Sequence, residues 1–326
     1  MTPAIAQALA AGHTRIVITG AGGWLGMATL ELISAALGDS FAGRVKCFGS
    51  SHRRLTLIDG TAINQQPLSA LASLTPAPTI LLHLAFLTKD RAEAMDEAAY
   101  RTANRALDQA VLDALDPIGV TAIFVASSGA AYRATDPTAA PAMRLYGGLK
   151  RDQEAMFAAW AEASNKRAVI ARIFNISGPH INKHSSYALA AFILDALGGR
   201  PITINAAHRV VRSYVAIREL MALVVALLLD GASETLRFDT GGDLLEMQDI
   251  ARTIADLLGP AQIGRPPPDP AKTDHYVGDA AAYRTLLADY SIAAVPFGRQ
   301  VIETAEFLAL SVSAAAVHRV ATAKQS

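Results

Sequence analysis

One stretch constrains this chain more than any other: Arg15, Ile16, Val17, Ile18 and Thr19 run straight into Gly20, Ala21, Gly22, Gly23, Trp24, Leu25 and Gly26. Five residues of strand character end in a glycine-rich turn, and the apolar helical pattern Trp24–Leu37 begins at once. Such a turn makes an anion site, because free backbone N–H groups and the positive end of the helix dipole point at the same place. Gly20 permits the tight turn, Gly23 lets a pyrophosphate approach the backbone, and Gly26 allows close packing of helix on strand. A dinucleotide is therefore expected here, with Trp24 and Leu25 opening the helix beside it.

The rhythm continues to about Asn175 and predicts an α/β fold, a doubly wound parallel sheet with helices on both faces. Strands are read at Arg44–Phe48, Thr79–Leu84, Val120–Ser127 and Arg167–Asn175, with a weaker one at Leu55–Ile58. Helices are read at Trp24–Leu37, Asp90–Leu115 and about Gly147–Ala163. Beyond Asn175 the pattern loosens into helix Tyr187–Leu197, strand Ile202–Ile204, helix Ile217–Leu229, strand Thr235–Asp239 and helix Met247–Leu258. The proline-rich stretch Arg265 to Pro270 is read as a connector. Residues 1–175 then form mainly a dinucleotide-binding domain, and residues 176–326 mainly a smaller carboxy-terminal substrate lobe with segments returning to the first, the site lying between them.

Composition excludes several classes. Of 326 residues 52% are hydrophobic, yet the longest apolar stretch, Leu220 to Leu229, is half of the roughly 20 residues a spanning helix needs. The start, Met1 to Gly12, has no basic residues ahead of an apolar block, so a cytoplasmic address is expected and no membrane partner. Lys plus Arg equals Asp plus Glu at 29 each, which leaves no global field for nucleic acid. Cys47 is the only cysteine and reads as a core thiol; no metal site is expected.

The nicotinamide cofactor is chosen near the end of the second strand, where an acid would hold the adenosine 2′-hydroxyl and a cation a 2′-phosphate. Here Gly49, Ser50, Ser51, His52, Arg53 and Arg54 follow, with no acid, which favours NADP over NAD. Asp59 is a candidate adenine contact. Further on, Val120–Ser127 leads into Ser128 and Gly129, and Tyr146 precedes Lys150 by one helical turn, so the two share a face. A phenol near its ordinary pKa of about 10 is a poor base, but an adjacent ammonium favours the phenolate. Tyr146 is then a general acid/base, and Ser128 at a strand's carboxyl end can hydrogen-bond the substrate oxygen. Gly147 and Gly148 each cost a helix roughly 1 kcal/mol against alanine, which points to a ligand needing the space.

With these residues assembled, the chain resembles the extended short-chain dehydrogenase/reductase family, the NAD-dependent epimerase/dehydratase and nucleotide-sugar modifying group, over about residues 14–310. The family's elements occur in order: Thr19-Gly20-x-x-Gly23-x-x-Gly26, His83-Leu84-Ala85, Asn104 in a helix, Ser127-Ser128 with Tyr132, Tyr146-x-x-x-Lys150, Arg172-x-Phe174-Asn175-x-x-Gly178-Pro179, and Arg212-Ser213-Tyr214-Val215. The resemblance implies a Rossmann domain, with Ser128, Tyr146 and Lys150 as catalytic trio and Lys150 also on the nicotinamide ribose. It implies cofactor contacts at Leu84, Ala85 and Asn104, and substrate contacts at Ser128, Gly129, Asn175 and Arg212, the last two on the nucleotide diphosphate. Asn175 is equally a strand-end turn residue, and His83 equally a half-buried core histidine. Gly129 and Ala130 stand where family dehydratases carry an Asp-Glu pair, so dehydration is disfavoured. The expected activity is nucleotide-sugar epimerisation by transient hydride transfer. The alternatives are an NADPH-dependent keto-sugar reductase, a non-catalytic dinucleotide-binding protein, and a small-carbonyl enzyme. A homodimer through the helices around residues 90–115 and 147–163 is expected from the family.

Overall fold

The structure, a computed structural model, describes residues 1–259 and 261–323, with side chains as far as Ser311. Among them eight strands form the principal sheet, in the order Thr235–Asp239, Arg167–Ile173, Val120–Ser128, Thr79–His83, Arg15–Thr19, Val45–Gly49, Ala62–Pro67 and Arg53–Thr56. Every neighbouring pair is parallel except the last, a hairpin in which Leu55 lies opposite Ile63. Ile16, Val17 and Ile18, like Leu81, Ile123, Phe124 and Ile170, are sealed from solvent. A sheet covered by helices on both faces needs apolar residues on both, which is why its strands are continuous runs and not alternations. Phe157 from helix Pro141–Ser164 and Val111 from helix Glu97–Leu115 close one face over Leu81, Ile123 and Ile170.

The strand order reverses beside Arg15–Thr19. From there the chain builds outward to Val45–Gly49 and Ala62–Pro67, then crosses back to Thr79–His83, whose His83 lies level with Thr19. Doubly wound sheets bind ligands at such a reversal, beyond the carboxyl ends of the strands.

Several boundaries differ from the sequence reading, four of them for a physical reason that the structure makes plain. The helix at Tyr146 starts at Pro141, because proline loses nothing in a first helical turn whose N–H groups have no partner; Tyr146 therefore sits in the second turn. The stretch 90–115 is two helices, Lys89–Ala94 and Glu97–Leu115, the second capped by the Asp96 carboxylate accepting from Ala99 N at 3.0 Å. Arg167–Asn175 stops at Ile173, and Asn175–Ser177 pairs instead with strand His208–Ala216. The segment 265–270 is not wholly irregular, since strand Asp269–Tyr276 begins inside it, with Pro270 near its start, where proline is tolerated.

Two compact units emerge. The first comprises Met1–Phe174, Arg218–Thr240 and Gly278–Ala293, and the second Asn175–Ile217, Gly241–Val277 and the chain from Ala294 on. In the second, His208–Ala216 pairs with Leu244–Glu246, Asp269–Tyr276 and Asn175–Ser177, while helices Ala188–Leu197, Met247–Leu258 and Phe297–Ala323 bring apolar residues such as Phe192, Ile254 and Leu308 out of water. No helix among the described residues is long and apolar enough to cross a membrane.

Candidate active site

The glycine turn is built as its chemistry requires. Gly20 has φ +72°, and a Cβ placed on it would stand 2.7 Å from the Ala85 nitrogen, so the turn lies directly on the Leu84–Ala85 loop. At Gly26 a Cβ would come within 2.4 Å of the Ala21 carbonyl, so the start of the helix is pressed against the turn itself and not against the strand. Helix Trp24–Leu37 begins after Gly23 with no side chain capping it, so its amino end faces the turn through backbone alone. This cradle fits a dinucleotide pyrophosphate. Asn104, fully buried, gives its amide to the same neighbourhood: its Oδ1 accepts from Leu87 N at 2.8 Å and its Nδ2 donates to the Tyr100 carbonyl at 3.2 Å.

After the second strand, Ser50, Ser51, Arg53 and Arg54 are exposed. Arg53 leans over the turn: a Cβ on Gly22 would be 3.2 Å from its Nη1. Below it Gln65 accepts from Gly22 N at 3.0 Å and donates to the Ser51 carbonyl at 3.0 Å. Asp59 lies elsewhere. It forms the tip of the hairpin, its Oδ1 accepting from Thr61 N at 2.8 Å, and it precedes the amino end of Ala62–Pro67. The ligand end of that strand is at Pro67, level with Gly49. Asp59 is thus a turn residue at the wrong end of the sheet to meet adenine, because the parallel strand is Ala62–Pro67 and not Leu55–Ile58.

The three candidate catalytic residues all belong to the first unit. Ser128 ends strand Val120–Ser128, and its Oγ accepts from Ala130 N at 3.2 Å. Gly129 follows in a short 3-10 turn, where a Cβ would meet the Phe174 ring at 2.5 Å. Tyr146 is half-buried, edge-on to Phe86 with ring centroids 5.8 Å apart. Lys150 is only 3% exposed; its Nζ donates to the Ala126 carbonyl at 2.7 Å and to Gln153 Oε1 at 2.9 Å, and lies 3.6 Å from the Phe86 ring centroid. Burial pulls the Lys150 ammonium down to about 7, against the opposing pull of the Asp108 and Glu154 carboxylates. The two glycines have different reasons. A Cβ on Gly147 would stand 2.1 Å from the Ala130 carbonyl, so the protein's own backbone, and not a ligand, demands that glycine, whereas Gly148 faces open space.

In the second unit Asn175 donates to the backbone carbonyls of Ser213 at 3.1 Å and Tyr276 at 3.3 Å, tying three strands together. Arg212 donates to Asp274 Oδ2 at 2.6 Å from the neighbouring strand. His180 packs against Phe307 with the rings tilted and their centroids 4.8 Å apart, and His184 bonds the Ile181 carbonyl at 2.9 Å. Among the described residues no group of His, Cys, Asp and Glu is arranged to hold a metal. Cys47 is buried, which pushes its thiol up to about 12.

The family model described as "NAD dependent epimerase/dehydratase family" matches residues 16–237, more than half of the chain. The chain belongs to that family. Solved structures agree on the fold of this epimerase/dehydratase member. UDP-N-acetylglucosamine 4-epimerase of Methanobrevibacter ruminantium, in complex with UDP-N-acetylmuramic acid, is 17% identical with TM-score 0.71, covering 91% of this chain and 99% of that one. The enzyme WbmF of Bordetella bronchiseptica, in complex with NAD+, is 16% identical with TM-score 0.73, covering 93% and 94%. UDP-glucose 4-epimerase of Thermus thermophilus, in complex with NAD, is 19% identical with TM-score 0.66, covering 90% and 98%.

The sequence reading of this epimerase/dehydratase chain did not include Phe86, Asp108, Gln153 and Glu154, which surround Lys150. A positional signal existed: Gln153 and Glu154 follow Lys150 by three and four residues, and Asp108 follows Asn104 by four, so each continues a helix face already marked. Glu154 is gripped at both oxygens by Arg172, at 2.9 and 2.7 Å, and accepts from Ser127 Oγ at 2.5 Å.

Proposed function

We propose that this chain is an epimerase of nucleotide-diphosphate sugars that works with a bound nicotinamide dinucleotide, NADP in preference to NAD. The observation that carries the reading is Lys150, an ammonium buried one helical turn from Tyr146 in the unit that also holds the glycine turn. A buried ammonium is costly, and its place one turn from a phenol has a chemical use. Gly20 to Gly26 would hold the pyrophosphate, Lys150 and Tyr146 the nicotinamide ribose, and Arg53 a 2′-phosphate. When bound, the nicotinamide supplies a reversible hydride acceptor. Tyr146 takes the proton of a sugar hydroxyl and returns it to the same oxygen, which serves an epimerase in both directions. Lys150 favours the phenolate through its charge, and Ser128 hydrogen-bonds the substrate oxygen. The absence of acids at Gly129 and Ala130 leaves water elimination without its proton donor and acceptor. Arg212, steadied by Asp274, is assigned to the diphosphate, and Arg212→Ala is expected to weaken nucleotide-sugar binding. A homodimer would join helices Glu97–Leu115 and Pro141–Ser164 to their mates.

The UDP sugars named with the similar structures support the substrate class, and the NAD named with two of them supports a nicotinamide dinucleotide, while the preference for NADP rests on Arg53 and the lack of an acid after the second strand. The test is a thermal-shift screen of UDP-, GDP-, dTDP- and CDP-sugars with NAD or NADP, since a ligand of the native state alone raises its Tm. One sugar nucleotide raising Tm above the dinucleotide alone supports the reading; none doing so removes it. Arg53 also favours a second reading, a keto-sugar reductase, because NADPH is the reductant such a reaction consumes. Net oxidation of NADPH during turnover would select it.

A further inference from the structure

A line of buried side chains runs away from Lys150 through the interior of the first unit. Lys150 Nζ donates to Gln153 Oε1 at 2.9 Å, and Gln153 Nε2 donates to Asp108 Oδ1 at 2.6 Å. The same Asp108 oxygen meets His83 Nε2 at 2.9 Å, and His83 Nδ1 meets Thr19 Oγ1 at 2.8 Å. Thr19 Oγ1 in turn accepts from Ala85 N at 3.4 Å. All five side chains, Thr19, His83, Asp108, Gln153 and Lys150, are buried.

The line sets the Asp108 carboxylate between an imidazole and an amide. An ionised carboxylate only accepts, so His83 Nε2–H donates to Asp108, while Nδ1 and the Thr19 hydroxyl share the second contact. Both ring nitrogens of His83 thereby have partners. Gln153 must present its NH2 to Asp108 and its carbonyl to Lys150; reversed, it would turn its NH2 toward an ammonium. Asp108 is therefore the sink of the line, an anion whose counter-charge is Lys150, one amide away.

The other charges around Lys150 are already committed. Glu154, on the same helix, is held by the Arg172 fork from strand Arg167–Ile173 and by Ser127 from strand Val120–Ser128. On the other sides stand the Phe86 ring and the Ala126 carbonyl, which are neutral, and Tyr146 lies one turn back. We infer that Asp108, acting through Gln153, is a positioning residue that keeps Lys150 charged and aimed, and that His83 and Thr19 anchor it to the Leu84–Ala85 loop against which the glycine turn lies. Burial drives Lys150 toward neutrality and the Asp108 carboxylate opposes it, so the line sets the pH up to which the ammonium persists.

The inference rests on the placement of Lys150 at the reacting centre, but its test needs neither substrate nor cofactor. Protein carrying 13C-labelled lysine is titrated by NMR without ligand, the Lys150 signal being the one absent from Lys150→Arg. Asp108→Asn keeps the Oδ1 acceptor and removes only the charge; Gln153→Met keeps the charge and removes the bridge. The Lys150 midpoint is expected to fall by about one unit, a tenfold change in proton affinity, in Asp108→Asn and to fall also in Gln153→Met, with the amide spectrum of a folded protein retained. Both variants titrating with the wild type would overturn the inference, whatever sugar nucleotide the protein proves to bind. If Asp108→Asn does not fold, the Gln153→Met midpoint alone decides.

Discussion

Arg53 and Asp59 sit six positions apart and were both candidates for the adenosine end of the cofactor, yet only one is at the right end of its strand. Arg53 overhangs Gly22, whereas Asp59 closes the hairpin at the other end. Exposed, flexible and cationic, Arg53 has little to do for the fold, so its replacement should cost binding and not stability. Arg53→Ala is expected to weaken NADPH at least tenfold in a fluorescence titration while NADH is held as before. That ratio corresponds to about 1.4 kcal/mol, modest for one charged contact to phosphate. Equal losses for both dinucleotides would remove Arg53 from the 2′ position. Asp59 was misread because Asn64, Gln65 and Gln66 make strand Ala62–Pro67 polar, so nothing in the residues announced it, and the pattern of Leu55 and Leu57 took its place.

At the scale of elements, helix Pro141–Ser164 carries the proposed pair Tyr146 and Lys150, and its two glycines make opposite predictions. Gly147→Ala drives a methyl group into the Ala130 carbonyl and separates the helix from the 3-10 turn at Gly129–Arg133, so a loss of about 2 kcal/mol or more is expected in denaturant unfolding. Gly148→Ala meets nothing and gains helix propensity, so it should stabilise the protein by up to about 1 kcal/mol. Losses of similar size in both would show that the helix is seated otherwise. Most of the sheet was legible for the same reason that it is stable: strands buried on both faces are unbroken apolar runs. The start of this helix was not, because a proline ordinarily breaks a helix and Pro141 is tolerated only as its first residue, where the missing N–H costs nothing. The line from Lys150 to Asp108 was hidden because a carboxylate and an amide on amphipathic helices look like solvent-facing positions; only the approach of the two helices shows them buried.

For the molecule as a whole, the acid limit of stability is written partly into the second unit. Glu246 caps helix Met247–Leu258 through Gln248 N at 2.7 Å and receives both arms of Arg265 at 2.9 Å. Burial raises its carboxyl, but Arg265 and the N–H groups of Gln248 and Val210 outweigh that and bring it down to about 2. A carboxyl depressed on folding stabilises the protein above its unfolded value, and that contribution is lost as pH falls through the folded value. Glu246→Gln should therefore cost about 2 kcal/mol near neutral pH, with the gap to wild type closing as pH falls from about 4.5 toward 2. A gap that stays constant across that range would contradict the account. The proposed activity turns on one phenol. The most direct measurement takes the protein loaded with oxidised dinucleotide, adds the sugar nucleotide that stabilises it, and follows the near-ultraviolet absorbance of reduced nicotinamide in wild type and Tyr146→Phe. The account predicts a transient rise in wild type and none in the variant, although the variant still binds both ligands; an equal rise in both would contradict it.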